Sequence, residues 1–237
     1  MTESFERKPY AVDLEIEGKY ALFADPVVAV GGEKMTYMIP TYEAIKGALK
    51  SVYWKPTIEW YVDMVRVMNP IRTESMEVKL PKYNSQDNDL AYYTYLRNCR
   101  YQVRAHFEFN RNREKEFAND WDVIKHHEIA KRCIEKGARR DVYLGKRECQ
   151  ADVSPCVFGE GEGHYDNSGR IDFGVMYHGL IYPDQAFDSL TTGMLTTAFW
   201  RASMTDGIII YPMPSEIPEQ MRKTVRKMNM KSFSCAV

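Results

Sequence analysis

Between Tyr101 and Phe109 apolar and polar side chains alternate without a break. Tyr101, Val103, Ala105, Phe107 and Phe109 fall on one side, and Gln102, Arg104, His106 and Glu108 on the other. A period of two sustained over this length is the mark of a β-strand with one face against a core. A helix, repeating every 3.6 residues, would scatter the same apolar residues around its whole circumference. The rest of the chain is therefore read around a sheet.

A second alternation, Val12, Leu14 and Ile16 against Asp13, Glu15 and Glu17, gives an early strand that closes at Gly18. Gly31-Gly32 reads as a turn. Thr41 stands as an N-cap before Tyr42, Ile45, Leu49, Val52 and Tyr53 at helical spacing, and Pro56 stops that helix. Residues 58–68 are rich in β-branched and aromatic types and end at the turn pair Asn69-Pro70. Residues 71–90 alternate weakly and then turn polar, which predicts an exposed hairpin or loop. After the Tyr101–Phe109 strand comes a second helix with Ile129, Ala130, Cys133 and Ile134 facing inward and Gly137 at the C′ position. DVYLG and the stretch beyond Cys149 return to strand.

Strand, helix, strand, strand, helix, strand is the order of a split βαβ unit. The expected fold is α+β: a ferredoxin-like (RRM-type) domain over 1–154 with a β-hairpin insertion around 65–105. From 155 the texture changes to Gly-rich loops and short strands. Ile171, Phe173, Val175 and Tyr177 alternate, and Asp206-Gly207 is a strong hairpin turn. Residues 155–237 read as a small antiparallel β domain ending in a basic tail after Pro214, with Arg222, Lys223, Arg226 and Lys227. A length of 237 residues suits such a domain and a half.

The opening MTESFERKPY lacks the apolar core of a signal peptide, and no run approaches the roughly 18 apolar residues of a membrane span. The reading places the protein in the cytoplasm, away from membranes. Its five cysteines are odd in number and form no C-x-x-C pair, so buried thiols are expected in place of disulfides or a zinc knuckle.

A formal net charge of −1 argues at first against nucleic acid. The average hides a split, because residues 97–147 hold 14 Lys or Arg against 8 Asp or Glu, leaving 18 against 25 for the other 186. That basic segment also contains His106, His126 and His127, and the aromatic cluster Tyr92, Tyr93 and Tyr95 lies beside it. Cations interleaved with rings suit single-stranded nucleic acid, although a solvated face of mixed charge has the same composition.

Lys125-His126-His127 stands just before or within the first turn of the second helix, where free backbone N–H groups favour an anion. A histidine moves protons near neutral pH, and a lysine ammonium stabilises charge on a pentacoordinate phosphate. Those are the ingredients for cleaving RNA without metal, through attack of a ribose 2′-hydroxyl on the adjacent phosphate. Tyr53, at the end of the first helix, is a candidate to orient that hydroxyl; packing in the core is the competing explanation for it, as surface exposure is for the histidines. Adjacent histidines are not the i, i+4 pair of a metal site, and His164 in GEGEGHYD fits turn chemistry better than cation binding. No G-x-S-x-G, Walker A or Rossmann fingerprint occurs, so neither a metal nor a cofactor is implied.

Several longer strings carry a resemblance: YALFADP, then VGGEKMTYMIPTYEAIKGALKSVYWKPTIEW, YQVRAHFEFN and GARRDVYLGKRECQADVSPCVFG. They resemble the CRISPR-associated RAMP proteins of the Cas five family, most closely its subtype I-C (Dvulg) branch, over most of the chain to about residue 214. The resemblance implies a metal-independent endoribonuclease that cuts the repeat of precursor CRISPR RNA and stays on the 5′ handle within the Cascade complex. Its partners would be that RNA and the Cascade backbone and large subunits, with double-stranded DNA left open. The family's catalytic Tyr, Lys and His fall on Tyr53, Lys125 and His126; His127 is the possible substitute, and His126 is assigned because it follows the lysine directly. Arg104, Arg139, Arg140, Lys146 and Arg147 are the candidate RNA-binding residues. The alternative within the family is a non-catalytic subunit that caps the 5′ end, and outside it a small-molecule enzyme on the same fold.

Overall fold

A computed structural model describes residues 7–25, 33–81 and 88–229. The Gly31-Gly32 turn, the polar tip of the expected hairpin, Cys235 and the end of the basic tail lie outside the described residues. The elements are β1 (Val12–Ala21), β2 (Lys34–Met35), α1 (Tyr42–Val52), β3 (Ile58–Val67), β4 (Thr73–Pro81), β5 (Asn88–Phe109), α2 (Glu114–Phe117), α3 (Val123–Glu135), β6 (Val142–Tyr143), β7 (Gln150–Pro155), β8 (Arg170–Ile181), β9 (Met194–Thr205), β10 (Ile208–Ile210) and β11 (Arg222–Lys227).

One antiparallel sheet dominates. Its main path runs β11-β9-β10-β3-β5-β1-β7-β6, with β4 added to β5, β8 to β9, and β2 joining β5 in parallel. β1 sits between strands distant in sequence, with Val12 opposite Ala105 on β5 and Leu14 opposite Pro155 on β7. β10 bridges β3 and β9, so hydrogen bonding passes without interruption into the C-terminal strands. The core does the same: Met176, Trp200, Met204, Ile209 and Tyr211 pack in one cluster with Leu14, Ile16, Trp60 and Val103.

The Tyr101–Phe109 strand is the inner half of β5, which extends outward to Asn88 and there pairs with β4 as a hairpin. Asn98, at φ 53, interrupts the regular backbone within the stretch paired with β1, between the Gly18–Cys99 and Tyr20–Arg97 pairs. Tyr93 and Tyr95 are core residues of this hairpin, and only Tyr92 of the tyrosine cluster presents its ring to solvent, at 46% exposure. The apolar side of the inner half is buried as expected. On its polar side Gln102 and His106 are buried as well, each 3% exposed, while Arg104 is half-buried and Glu108 is exposed. A Gly-rich segment covers it: Arg66 donates to the Glu160 and Gly161 carbonyls and pairs with Asp166, while Gln102 Nε2 donates to the Glu160 carbonyl at 2.8 Å. His106 pairs with Asp63 at 2.8 Å under the Tyr61 ring; burial pushes its pKa down, but Asp63 and Glu108 outweigh that and raise it to about 9.

α1 begins at Thr41, whose hydroxyl accepts the Ala44 N–H at 3.3 Å, a cap worth about 1 kcal/mol. Ile45, Leu49 and Val52 face the sheet, and Lys46 on the same helix is 3% exposed, its Nζ 2.5 Å from Glu59 on β3. α3 ends with Gly137 at φ +77, the C′ position expected. The Asp206-Gly207 turn has φ 47 and 79, both positive, as a two-residue hairpin of matching twist requires. The basic tail is a strand in its described part, since Arg222–Lys227 pairs with β9 and Arg222 is bound to Asp188. Cys99, Cys133 and Cys149 are buried free thiols, and burial raises all three pKa values. No helix among the described residues is long and apolar enough to cross a membrane.

Candidate active site

The end of α1 and the first turn of α3 meet at one point. Asp122 caps α3 by accepting the Lys125 N–H at 3.0 Å, which sets Lys125 in the first turn and His126 one residue on. His126 then occupies the inward stripe with Ala130, Cys133 and Ile134. Tyr53, the C-cap of α1, is held by its N–H to the Leu49 carbonyl and by Trp60 Nε1, which donates to the Tyr53 carbonyl at 2.7 Å. The two side chains join: Tyr53 Oη lies 2.8 Å from His126 Nδ1.

The second ring nitrogen fixes the direction of that bond. His126 Nε2 is 2.7 Å from the Asp120 backbone carbonyl, which can only accept, so in the neutral ring Nε2 carries the proton. Nδ1 is then the acceptor and the Tyr53 hydroxyl the donor. Phe107 and Phe109 stand edge-on to the imidazole at 6.1 and 6.0 Å, and Trp121 stacks on Phe109 at 5.1 Å. His126 has no exposed surface and Tyr53 1%. Burial, with the Asp120 charge next, pushes the Tyr53 phenol up to about 12, against the opposing pull of Arg139.

Lys125 points outward, with Nζ 2.5 Å from Asp120 Oδ1. Thr57 Oγ1 donates to the other carboxylate oxygen at 2.9 Å. Burial pushes the Asp120 carboxyl up, but the hydrogen bonds from Lys125 and Thr57 and the adjacent positive charge leave it below its ordinary value. His127 lies elsewhere on the helix, its ring 5.6 Å from Tyr10 and its Nδ1 3.4 Å from Glu128. The structure thus brings Tyr53, Lys125 and His126 together and leaves His127 apart.

Four of the five basic candidates belong to one region. Arg139 is exposed, with its guanidinium 5.9 Å from the Tyr53 ring centroid, and the Arg140 N–H donates to Ser51 at the end of α1. Lys146 and Arg147 are exposed in a turn that Gly145 makes possible: at φ +90, a Cβ there would lie 2.1 Å from the Leu22 carbonyl oxygen. None of the four has an ion-pair partner among the described residues. Arg104 departs from this group. It projects from the other face of the sheet and makes two bonds to Asp13, at 2.7 and 2.9 Å, so its charge is already matched within the fold. Its partner could be known only from the β1–β5 register.

Asp120 is the residue of this site that sequence reasoning does not single out. It lies in the 3₁₀ turn Ala118–Asp120, which carries no periodic signal, and its partners are 63, 5 and 6 residues away. Among the described residues no group of three or more His, Cys, Asp or Glu side chains is arranged to hold a metal ion.

Comparison with known proteins gives a consistent set of relatives. A family model described as CRISPR-associated protein (Cas_Cas5) matches residues 11–212. The crystal structure of SMU1763c from Streptococcus mutans, a functionally uncharacterized protein, is 31% identical, with a TM-score of 0.72 over 90% of this chain and 97% of that one. A second crystal structure, of a CRISPR-associated protein, is 28% identical, with a TM-score of 0.72 over 90% and 96%. A curated relative, the CRISPR pre-crRNA endoribonuclease Cas5d of Mannheimia succiniciproducens, is 40% identical over 65 residues; the match spans 27% of this chain and 28% of the relative. The family match covers β1 to β10, both long helices and the Tyr53–His126 contact alike, and the chain belongs to the Cas5d family of CRISPR-associated proteins.

Proposed function

We propose that this protein is a metal-independent endoribonuclease that cuts the repeat of precursor CRISPR RNA and then holds the 5′ handle within a Cascade complex. The observation that carries the reading is the Tyr53–His126 hydrogen bond with Lys125 beside it and the exposed Arg139 guanidinium over the Tyr53 ring. Family membership supplies the substrate class, as does the partial relative that is named a pre-crRNA endoribonuclease. The fold proposal goes with it: a ferredoxin-like domain with a hairpin insertion, then a small β domain from about residue 155. It is supported by the antiparallel order β7-β1-β5-β3, with α1 following β1 and α3 following β5.

In the reaction, the ribose 2′-oxygen bonds to phosphorus, the bond to the 5′-oxygen breaks, and the products are a 2′,3′-cyclic phosphate and a 5′-hydroxyl. Tyr53 stays protonated at neutral pH, so it orients the 2′-hydroxyl and passes its own proton to His126 Nδ1 as it takes the substrate's. Lys125 offers its ammonium to the charge building on phosphate oxygens, the departing 5′-oxygen takes up a proton from water, and His126 releases to water the proton it received. Arg139, exposed over the Tyr53 ring, is the side chain that a phosphate would draw aside to uncover the phenol.

The test is incubation with cognate repeat RNA in excess EDTA. Discrete cleavage with cyclic phosphate ends is expected; abolition by EDTA, with restoration by a divalent ion, would replace this mechanism with a metal-assisted one. The complete burial of His126 favours one second reading, a non-catalytic subunit that only caps the RNA. Tight binding without any cleavage would establish it.

RNA affinity should divide the arginines. The double substitution Arg139→Ala and Arg140→Ala is expected to weaken binding and to reduce the slope of log K against log salt by about 1.4, roughly 0.7 for each single-strand phosphate contact. Arg104→Ala should leave that slope unchanged. A filter-binding titration over several salt concentrations checks both, and an equal effect of Arg104→Ala would move the RNA to the opposite face.

A further inference from the structure

Asp120 bonds three residues at once. Its carboxylate accepts from Thr57 Oγ1 at 2.9 Å and holds Lys125 Nζ at 2.5 Å, while its backbone carbonyl accepts from His126 Nε2 at 2.7 Å. Thr57 is 1% exposed and adjoins β3, so it is a rigid anchor. The turn carrying Asp120 is short and irregular; its backbone bonds, Trp121 N–H to the Ala118 carbonyl at 3.2 Å and Asp122 N–H to the Asp120 carbonyl at 2.9 Å, stay within the turn and the helix entry, and the Thr57 bond ties it to the start of β3.

We propose that Asp120 is a positioning residue for the cleavage reaction: pinned by Thr57, it sets the tautomer of His126 through its carbonyl and the place of the Lys125 ammonium through its carboxylate. The inference rests on the cleavage reading of the same site. Its logic is that of a nucleophile-activating base oriented by a third group. If Nε2–H loses its acceptor, the ring is free to carry its proton on Nδ1, and Nδ1 then stops accepting from Tyr53. If the carboxylate is lost, the ammonium swings on a four-carbon stem in solvent.

The charged and titratable groups around the site define what a pH measurement reads. Lys125 faces Asp120 and Asp122; Tyr53 faces His126, Asp120, the Arg139 guanidinium and the Cys133 thiol. The Asp120 carboxylate raises the pKa of Lys125 and adds to the burial that raises Tyr53. Removing its charge lowers both, so the alkaline limb of the pH–rate profile moves to lower pH.

Two variants separate the two roles. Asp120→Asn keeps an oxygen for Thr57, so the tautomer stays, but it loses the charge on Lys125. The expected result is a kcat about 10- to 100-fold lower, unchanged RNA affinity and an alkaline limb shifted down. Asp120→Ala also loses the anchor. Imidazole 15N spectra of the free protein should show His126 as the Nε2–H tautomer in the wild type and in Asp120→Asn, and as a mixture in Asp120→Ala. Asp120→Glu should restore part of the rate. Should Asp120→Ala fail to fold, Thr57→Val removes the same anchor. An alkaline limb unmoved by Asp120→Asn, or a tautomer unmoved by loss of the anchor, would overturn the inference. A wild-type protein that cleaves no repeat RNA would instead overturn the cleavage reading, and the spectra need no RNA.

Discussion

Replacing Tyr53 with Phe is expected to slow repeat cleavage by at least about 100-fold, the usual scale of a lost acid–base group, while RNA binding stays within about twofold. The substitution removes one oxygen from a buried place and leaves the ring that packs against His126. His126→Ala should cost as much, and the double substitution little more than either, because the two groups work as one unit. His127→Ala should cleave normally, since that ring faces Tyr10 and not Tyr53. Single-turnover rates at saturating protein read the chemical step alone. Normal cleavage by His126→Ala with loss in His127→Ala would refute the assignment. The Phe variant also leaves His126 Nδ1 without a donor in a dry site, which costs about 1–3 kcal/mol, so a melting curve belongs beside each rate.

The second large effect concerns stability. Glu59→Gln is expected to destabilise the protein by about 3–5 kcal/mol, because Lys46 would keep its charge in a buried place with no counter-ion. Glu59 is the common acceptor for Lys46 at 2.5 Å, Lys50 at 3.2 Å and Gln185 Nε2 at 2.9 Å, so it ties α1, β3 and the segment after β8 together. Burial pushes its pKa up, yet the two lysines outweigh that and leave it below the ordinary value. A depressed carboxyl stabilises the fold above its unfolded pKa, about 4.3, and loses that contribution as pH falls through the folded value. Urea denaturation between pH 3 and 7 should therefore show a shallower acid slope for Glu59→Gln than for the wild type. Replacing both partners, Lys46→Met with Glu59→Leu, should recover most of the loss; a double substitution as unstable as the single one would mean that packing and not charge is at stake.

These residues show where sequence reasoning reaches and where it stops. β1, α1, β3, the inner half of β5, α3 and the Asp206-Gly207 hairpin are legible because each is specified by a local period, cap or turn. Tyr53 and His126 are legible as chemical types in suggestive places, and His126 also shares a stripe with Ala130, Cys133 and Ile134, four, seven and eight residues on, a sign of burial that its polarity disguises. What is not legible depends on pairing at a distance. Arg104 looks like a free cation until β1 sets Asp13 opposite it, and Lys46 looks like a solvent residue until β3 brings Glu59. The polar face of β5 looks wet until the segment beyond 155 folds over it.

The place of β1 in the middle of the sheet has a consequence for how the chain folds as it is made. Its two neighbours are β5, whose Ala105 pairs with Val12, and β7, whose Pro155 pairs with Leu14. At roughly 5–20 residues per second, the ribosome needs about 5–20 s after making β1 to finish the first partner, and a few seconds more to finish the second. For that interval a strand with Leu14 and Ile16 on one side has no native edge to join, and the loop that finally closes is long and slow to form. Asp13, Glu15 and Glu17 alternate with those apolar residues, so the waiting strand carries a row of like charges that disfavours pairing with a copy of itself on a neighbouring nascent chain. The carboxylates that later meet Arg104 and Arg100 thus serve first to keep the strand apart from its own kind.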